Sequence, residues 1–247
     1  MLDLNQKTAL ITGGAQRIGA AIARLLHAEG MNLLLHYRRS ASEAEGLAAE
    51  LNDLRPGSVG LAQADLCQVS QLAPLVEQAR LQFGRLDLLV NNASSFYPTP
   101  IGEVDEAIWD DLMGSNLKGP FFLSQAAAPL LAEHQGCIIN LVDIHAERPK
   151  AGYPVYSMAK AGNAMMVKTL ARELGPRVRV NGIAPGLILW PDQPMTETER
   201  QTLLQRTVLQ RAGKEEDIAR TLLFLLRDGE YITGQIIAVD GGRTLQQ

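Results

Sequence analysis

The chain has 247 residues, 46% hydrophobic and 20% charged, with a formal net charge of −4 at pH 7. That length and apolar content suit one α/β domain with a full core, and the slightly acidic balance excludes the basic footprint of a nucleic-acid or anionic-membrane binder. No apolar run approaches the ~18 residues of a membrane span, and the opening MLDLNQK carries neither a basic leader nor a hydrophobic signal core, so a cytoplasmic protein is expected.

Lys7 to Thr12 (KTALIT) predicts a short buried strand, and Gly13-Gly14-Ala15-Gln16-Arg17-Ile18-Gly19 follows at once. A helix is predicted over Ala20–Ala28. Strand, glycine-rich turn and helix form a phosphate cradle, in which glycines permit the tight turn and the helix N-terminus offers free N–H groups to a pyrophosphate. The strict GxGxxG spacing is absent, so a plain strand-turn-helix stays open at this point. Asn32–His36 predicts a second strand, Ala41–Leu54 a helix stopping before Pro56-Gly57, Val59–Gln63 a third strand, and Val69–Phe83 a helix ended by Gly84. Leu86–Asn91 is a fourth strand, apolar almost throughout, as strands covered on two faces are. A long helix is predicted over Ala107–Leu131 with a break near Gly119-Pro120. Cys137–Val142 is a fifth strand, Pro154–Leu174 a helix, Val178–Ile183 a sixth strand, 217–227 a late helix and Gln235–Val239 a last strand. Strands alternating with helices of this length predict one Rossmann-type, doubly wound parallel sheet over 1–247, with helices on both faces. Cys67 and Cys137 read as reduced thiols, and the four histidines lack ligand spacing, so no metal is expected.

Tyr156-Ser157-Met158-Ala159-Lys160 places a phenol and an ammonium four apart, on one helical face. A neighbouring cation lowers the phenol's pKa from about 10, which is useful to an enzyme that adds hydride to a C=O or C=N bond and must supply a proton. A half-buried Tyr beside a solvated Lys would read the same way.

The pieces TGGAQRIG, NNAS at 91–94, YSMAK and NGIAPG at 181–186 resemble the short-chain dehydrogenase/reductase family, in that order and over nearly the whole chain. Arg17 departs from its usual TGxxxGxG pattern. Together with His36-Tyr37-Arg38-Arg39-Ser40, the run Asn91-Asn92-Ala93-Ser94-Ser95-Phe96-Tyr97-Pro98 and the Val142-Asp143 step, Arg17 resembles the pteridine reductases. The resemblance implies a cofactor site over Gly13, Arg17, Ile18 and Gly19, an adenine contact at Asp65 with Leu66, a nicotinamide side at Asn91, Ala93 and Ser94, and Pro185-Gly186 against the nicotinamide. Lys160 is implied to bond the nicotinamide ribose, and Asn116 to anchor a water leading to it.

Cofactor choice follows from charge. NAD-selective sites place an acid after the second strand for the ribose 2′-hydroxyl, whereas His36, Tyr37, Arg38, Arg39 and Ser40 include no acid and two guanidiniums, which suit a 2′-phosphate. NADPH is therefore expected. Ordinary family members carry Ser where this chain has Asp143. A carboxylate cannot donate to a carbonyl unless protonated, so Asp143 suits a substrate with ring nitrogens, and the resemblance implies that Asp143 and Tyr156 form a proton relay; Asp143 as a turn cap is the alternative. The implied substrate is a dihydropterin (dihydrobiopterin, dihydromonapterin or dihydrofolate) held by Arg17, Ser94, Phe96, Asp143, Tyr156 and Trp190. Phe96 would stack on the ring, or serve only as a loop anchor, and Trp190 would be a pocket wall or plain packing. A substrate-covering loop is expected over about 187–210. His145 is expected to face solvent. The runner-up is an NADPH-dependent carbonyl reductase of the 3-ketoacyl type, and a homotetramer packed through the helix after Tyr156 is implied by the resemblance.

Overall fold

The computed structural model describes residues 2–190 and 195–245. The elements in chain order are β1 (Thr8–Ile11), α1 (Arg17–Ala28), β2 (Asn32–Tyr37), α2 (Ala41–Leu54), β3 (Val59–Gln63), α3 (Leu72–Phe83), β4 (Leu88–Asn91) and α4 (Glu106–Met113). They continue as α5 (Gly119–Glu133), β5 (Cys137–Leu141), α6 (Pro154–Leu174), β6 (Arg179–Pro185), α7 (Glu197–Gln205), α8 (Glu215–Arg227) and β7 (Ile236–Val239). The strands make one seven-stranded sheet in the order β3-β2-β1-β4-β5-β6-β7, every pairing parallel. This is the doubly wound Rossmann-type architecture.

The strands are largely apolar because successive side chains enter two different cores. Ala9 and Ile11, Leu33 and Leu35, and Ile139 pack with α1, α2 and α8 on one face. Leu10, Leu34 and Ile138 pack with α3, α5 and α6 on the other. Leu33, Leu34 and Leu35 are wholly buried, and truncating such a residue to Ala costs about 2–5 kcal/mol. The strand order reverses between β1 and β4, so the crevice beyond their C-terminal ends is the place where this fold binds ligands.

Three predicted boundaries change. The helix expected from Ala107 to Leu131 is two helices joined by a π-helical turn over Gly114–Lys118, just before Gly119-Pro120. The loop expected over 187–210 contains α7, whose start is fixed by Thr196 and Glu199 bonding reciprocally to each other's backbone N–H. That Thr-x-x-Glu capping box was legible in the sequence, but α7 buries none of its residues and so lacks the apolar periodicity that marks a helix. Helix α1 begins at Arg17 instead of Ala20. Residues 191–194 of the expected substrate loop lie outside the described residues. Both cysteines are free thiols, and no helix among the described residues is long and apolar enough to cross a membrane.

Candidate active site

The glycine turn leaves β1 with Gly13 at φ +59°, where a Cβ would come within 3.1 Å of the Ala93 Cα. A Cβ on Gly19 would lie 2.2 Å from the Gly13 carbonyl oxygen, so α1 cannot pack here with any larger residue. Asn92 latches the turn, its Nδ2 donating to the carbonyls of Thr12 (2.8 Å) and Gly13 (3.0 Å). Backbone N–H groups of Asn92 and Ala93 donate to Thr12 Oγ1. Gln16, the residue capping α1, makes no side-chain cap bond, and the first turn carries no acid. The N–H groups and positive dipole end of α1 therefore fit a diphosphate. Arg17, at φ +52°, holds the left-handed backbone that glycine ordinarily takes, a strain of about 1–2 kcal/mol.

His36 braces this turn from behind. Its Nδ1 accepts from the Gly13 N–H (3.2 Å), its Nε2 donates to the Ala64 carbonyl (3.0 Å), and burial lowers its pKa. With both nitrogens engaged and 2% exposure, its ring shapes the loop on which the expected cofactor site is built. The Asn91 side chain is likewise engaged inside the protein. It is 3% exposed and its Nδ2 donates to Ser124 Oγ and Asn140 Oδ1, pinning β4 to β5 and α5. Leu66 is a core residue. Tyr37 closes β2, and Ser40 caps α2 without a side-chain cap bond, which leaves that helix N-terminus open beside exposed Arg39. Arg38 is not poised as a free cation: it pairs with Asp65 (3.2 Å) and Asp111 (3.3 Å).

At the chemical centre, the Tyr156 phenol donates to Asp143 Oδ2 at 2.7 Å. The other oxygen, Oδ1, accepts from the His145 N–H at 2.8 Å and caps the short 3₁₀ turn Ile144–Ala146. Turn cap and phenol partner, opposed readings in the sequence, are thus one carboxylate using its two oxygens. Burial, and then the Asp143 charge, push the Tyr156 pKa well above its usual value, with Ser94 acting in the opposite sense. This reverses the expectation that Lys160 would lower it. The Lys160 ammonium donates to the Leu141 carbonyl (2.8 Å), stands 5.7 Å from the phenol ring centroid, and is itself brought down to about 8 by burial. The phenol is a proton holder, fully neutral at pH 7.

Asn116 sits in the π-helical turn, fully buried. Its Oδ1 accepts from Ser94 Oγ (2.6 Å), its Nδ2 donates to the Ser95 and Leu112 carbonyls, and its main-chain carbonyl accepts from Asn163 Nδ2 (2.8 Å). Its contacts run to the 94–95 loop and α6 instead of directly to Lys160. Gly186 donates its N–H to the Val239 carbonyl, and a Cβ there would lie 2.6 Å from Asp240; contact with the end of β7 accounts for this glycine, and Pro185 ends β6 beside Val239.

A family model described as enoyl-(acyl carrier protein) reductase matches residues 13–244. The chain is 38% identical to pteridine reductase 1 of Leishmania tarentolae, over 96% of each chain. It is 36% identical to a 3-oxoacyl-(acyl-carrier-protein) reductase of Staphylococcus epidermidis, over 96% of this chain and 98% of the relative. A putative ketoacyl reductase of granaticin polyketide synthesis from Streptomyces violaceoruber is also 36% identical, over 96% of each chain. The chain belongs to the short-chain dehydrogenase/reductase family. It is an oxidoreductase of a family that works with nicotinamide dinucleotides.

Several residues of this short-chain reductase's cleft were not singled out in the sequence. Tyr153 stacks on Phe96 (centroids 4.7 Å, planes at 16°), and Tyr156 meets Phe96 edge-on at 4.8 Å. Phe96 is therefore neither a bare shelf nor a buried anchor: part of its surface is taken by Tyr153, and it remains 49% exposed. The spacing of Tyr153 one helical turn before Tyr156 was the available signal. Lys150 Nζ lies 4.2 Å from the Tyr153 centroid and 4.8 Å from that of Phe96. Trp190 lies beneath the Arg200 guanidinium of α7 at 5.1 Å, a packing contact that ties the segment after β6 to α7. His145 is half-buried and engages the Arg148 carbonyl through Nδ1.

Proposed function

We propose that this short-chain reductase is an NADPH-dependent pteridine reductase, converting a dihydropterin to its tetrahydro form. The observation that carries the reading is the 2.7 Å bond from Tyr156 to Asp143 beside the half-exposed ring of Phe96. A carboxylate in this position accepts hydrogen bonds, so it matches ring N–H groups and mismatches the carbonyl oxygen of a ketone. Similarity to pteridine reductase 1 points the same way.

The glycine turn, the α1 N-terminus and Lys160 would hold the dinucleotide, and Arg39 and Ser40 at the open start of α2 would take the 2′-phosphate. Arg38 joins them by exchanging Asp65 and Asp111 for the phosphate. When bound, NADPH supplies the hydride for the carbon of a C=N bond. Tyr156 delivers the proton to the adjacent nitrogen. A phenolate beside a carboxylate is disfavoured, so each proton leaving Tyr156 is matched by one arriving through Asp143, which is partly open to solvent. Phe96 and Tyr153 orient the flat ring, a stacking worth roughly 0.5–1.5 kcal/mol beyond burial.

The competing reading, a 3-ketoacyl reductase, is favoured by the 36% identity to enzymes of that name and disfavoured by Asp143. Purified protein should oxidise NADPH when offered dihydrobiopterin or dihydrofolate and not with a β-ketoacyl ester, and should prefer NADPH to NADH in kcat/KM. Turnover of the ketoacyl ester alone would overturn the proposal, and equal use of both cofactors would overturn the phosphate assignment.

A further inference from the structure

One carboxylate on α4 joins the two sides of the cleft, and its link to the substrate side is used by none of the chemistry above. Asp111 Oδ1 accepts from Arg38 Nη1, just past β2, at 3.3 Å. Its Oδ2 accepts from the Tyr97 phenol at 3.0 Å. Arg38 belongs to the expected cofactor side, where its Nη2 also pairs with Asp65 at 3.2 Å. Tyr97 belongs to the substrate side: it follows Phe96 directly and packs in one apolar cluster with Tyr153 and Tyr156. Arg38, Asp65 and Asp111 share the wall of one cleft of about 620 Å³, so a ligand entering it meets the cation and the carboxylate together.

The stretch 92–100 that carries Phe96 has no regular secondary structure, so individual bonds decide where its ring sits. Asn116 holds Ser94 and Ser95 at one end, and the Thr99 N–H donates to the Gly152 carbonyl at 2.7 Å at the other. Between these pins, Tyr97 is fixed by its bond to Asp111. Burial, and then Asp111, push the Tyr97 phenol up to about 12, so it stays a donor across the working pH range. Asp111 is half-buried, and a buried charge has to be answered by donors. The Arg38 pairs are partly exposed and so held weakly, whereas a phosphate offers this guanidinium a bidentate, stronger partner. Once Arg38 turns to a phosphate, Asp111 keeps Tyr97 of its two side-chain donors. A less neutralised carboxylate is the better acceptor, and repulsion from the phosphate acts in the same direction.

We propose that Asp111 is a positioning residue that links the two ligands: when a 2′-phosphate takes Arg38, Asp111 passes to Tyr97, and the fastened Tyr97 sets Phe96 for the substrate ring. The inference rests on the reading as an NADPH-dependent pteridine reductase and deepens it, because the 2′-phosphate then serves substrate binding as well as cofactor choice. Coupling between two sites is reciprocal, so Tyr97, on the substrate side, sets how well the protein tells a 2′-phosphate from a 2′-hydroxyl. In Tyr97→Phe the carboxylate released by Arg38 has no phenol to accept from, and giving up Arg38 to a phosphate becomes costlier.

The experiment titrates adenosine 2′,5′-bisphosphate and adenosine 5′-monophosphate, which carry no nicotinamide, into the unaltered protein, Tyr97→Phe, Asp111→Asn and the double variant by calorimetry. Expected in Tyr97→Phe is a fall of roughly five-fold, the lower end of coupling between sites, in the preference for the bisphosphate, with the monophosphate affinity unchanged. Tyr97→Phe keeps the ring in its apolar cluster, and a merely structural loss would weaken both nucleotides alike. In the Asp111→Asn background the same change should leave the preference as it is, since the charge joining the two residues is gone. The reciprocal arm measures the Kd of dihydrofolate with NADP+ or NAD+ bound. The unaltered protein should hold it roughly five-fold tighter with NADP+, and either single variant should bring the two values together. A bisphosphate preference in Tyr97→Phe within about two-fold of the unaltered protein's, a difference too small to assign to a contact, overturns the coupling and leaves the pterin reading intact. So does an equal Kd for dihydrofolate with both dinucleotides in the unaltered protein. Failure of dihydrofolate to bind with either dinucleotide counts against the pterin reading, and the bisphosphate titrations then decide the role of Asp111 by themselves. An unaltered protein that does not prefer the bisphosphate overturns the phosphate assignment, and the coupling with it.

Discussion

At the scale of single residues, the chemistry depends on what surrounds each titrating group. Tyr156 keeps its proton because it is buried and faces Asp143, so Tyr156→Phe should lower turnover about 10²–10⁴-fold while NADPH binding, read by quenching of protein fluorescence, changes little. Retained activity would remove the phenol from the mechanism. Asp143→Asn preserves the Oδ1 acceptor that caps the 3₁₀ turn and removes the charge, and a comparable loss of pterin turnover with an unchanged melting temperature is expected. The Lys160 ammonium supplies the third prediction. Its pKa in the folded chain is lowered to about 8 from 10.5, so the cation is present below about pH 8 and lost above it. kcat/KM for NADPH should therefore decline as pH rises through about 8, and Lys160→Arg, which stays charged, should abolish that alkaline limb. Stability runs the opposite way: burial penalises the charged form, so the Lys160 contribution is most favourable above the unfolded pKa of 10.5 and is lost as pH falls from there through about 8. The residue types at these positions were legible in the sequence. Their protonation behaviour was not, because it is set by depth and by Asp143, which lies on a different element.

Among the elements, the cofactor cradle is the most tightly determined. Gly19 meets the Gly13 carbonyl oxygen at 2.2 Å once a Cβ is added, and no rotamer of a larger side chain relieves a Cβ clash with backbone. Gly19→Ala should cost about 1–3 kcal/mol of stability, the scale of overpacking, seen as a lowered melting temperature, and should weaken dinucleotide affinity measured by titration calorimetry. Unchanged values for both would mean that the turn is free to shift. The strand-turn-helix unit here could be read from residues 7–28, apart from the three-residue shift of the helix start, since its signals are local. The π-helical turn around Asn116 and the exposed helix α7 could not: the first arises where α4, α5 and α6 meet, and the second carries only a capping box, with no apolar face. Arg38 teaches the same lesson at the end of β2. Its charge was plain in the sequence, but its pairing with Asp65 and Asp111 depends on β3 and α4 arriving beside it.

For the molecule as a whole, one sheet collects every strand among the described residues, and α6 leaves Met158 and Met165 exposed at 47% and 57%, the latter lining one pocket with Phe121 of α5, itself 39% exposed. We propose that this apolar face is covered by copies of the chain in a homotetramer. Sedimentation or light scattering should return four chains for the unaltered protein, and Met165→Glu should shift it to smaller species; a monomer from the start would remove the proposal. Alternating strands and helices, the glycine turn, and the identities of Tyr156, Asp143 and Lys160 follow from local composition and spacing, so the sequence by itself determined the fold class, the strand-turn-helix unit and the residue types at the proposed site. Only the tertiary structure decided that Asp143 serves turn and phenol together, that Phe96 leans on Tyr153, and that Lys150 lies over both rings. Hydrogen bonds, desolvation and Coulomb forces act across a few ångströms of space, and separation along the chain does not measure that distance.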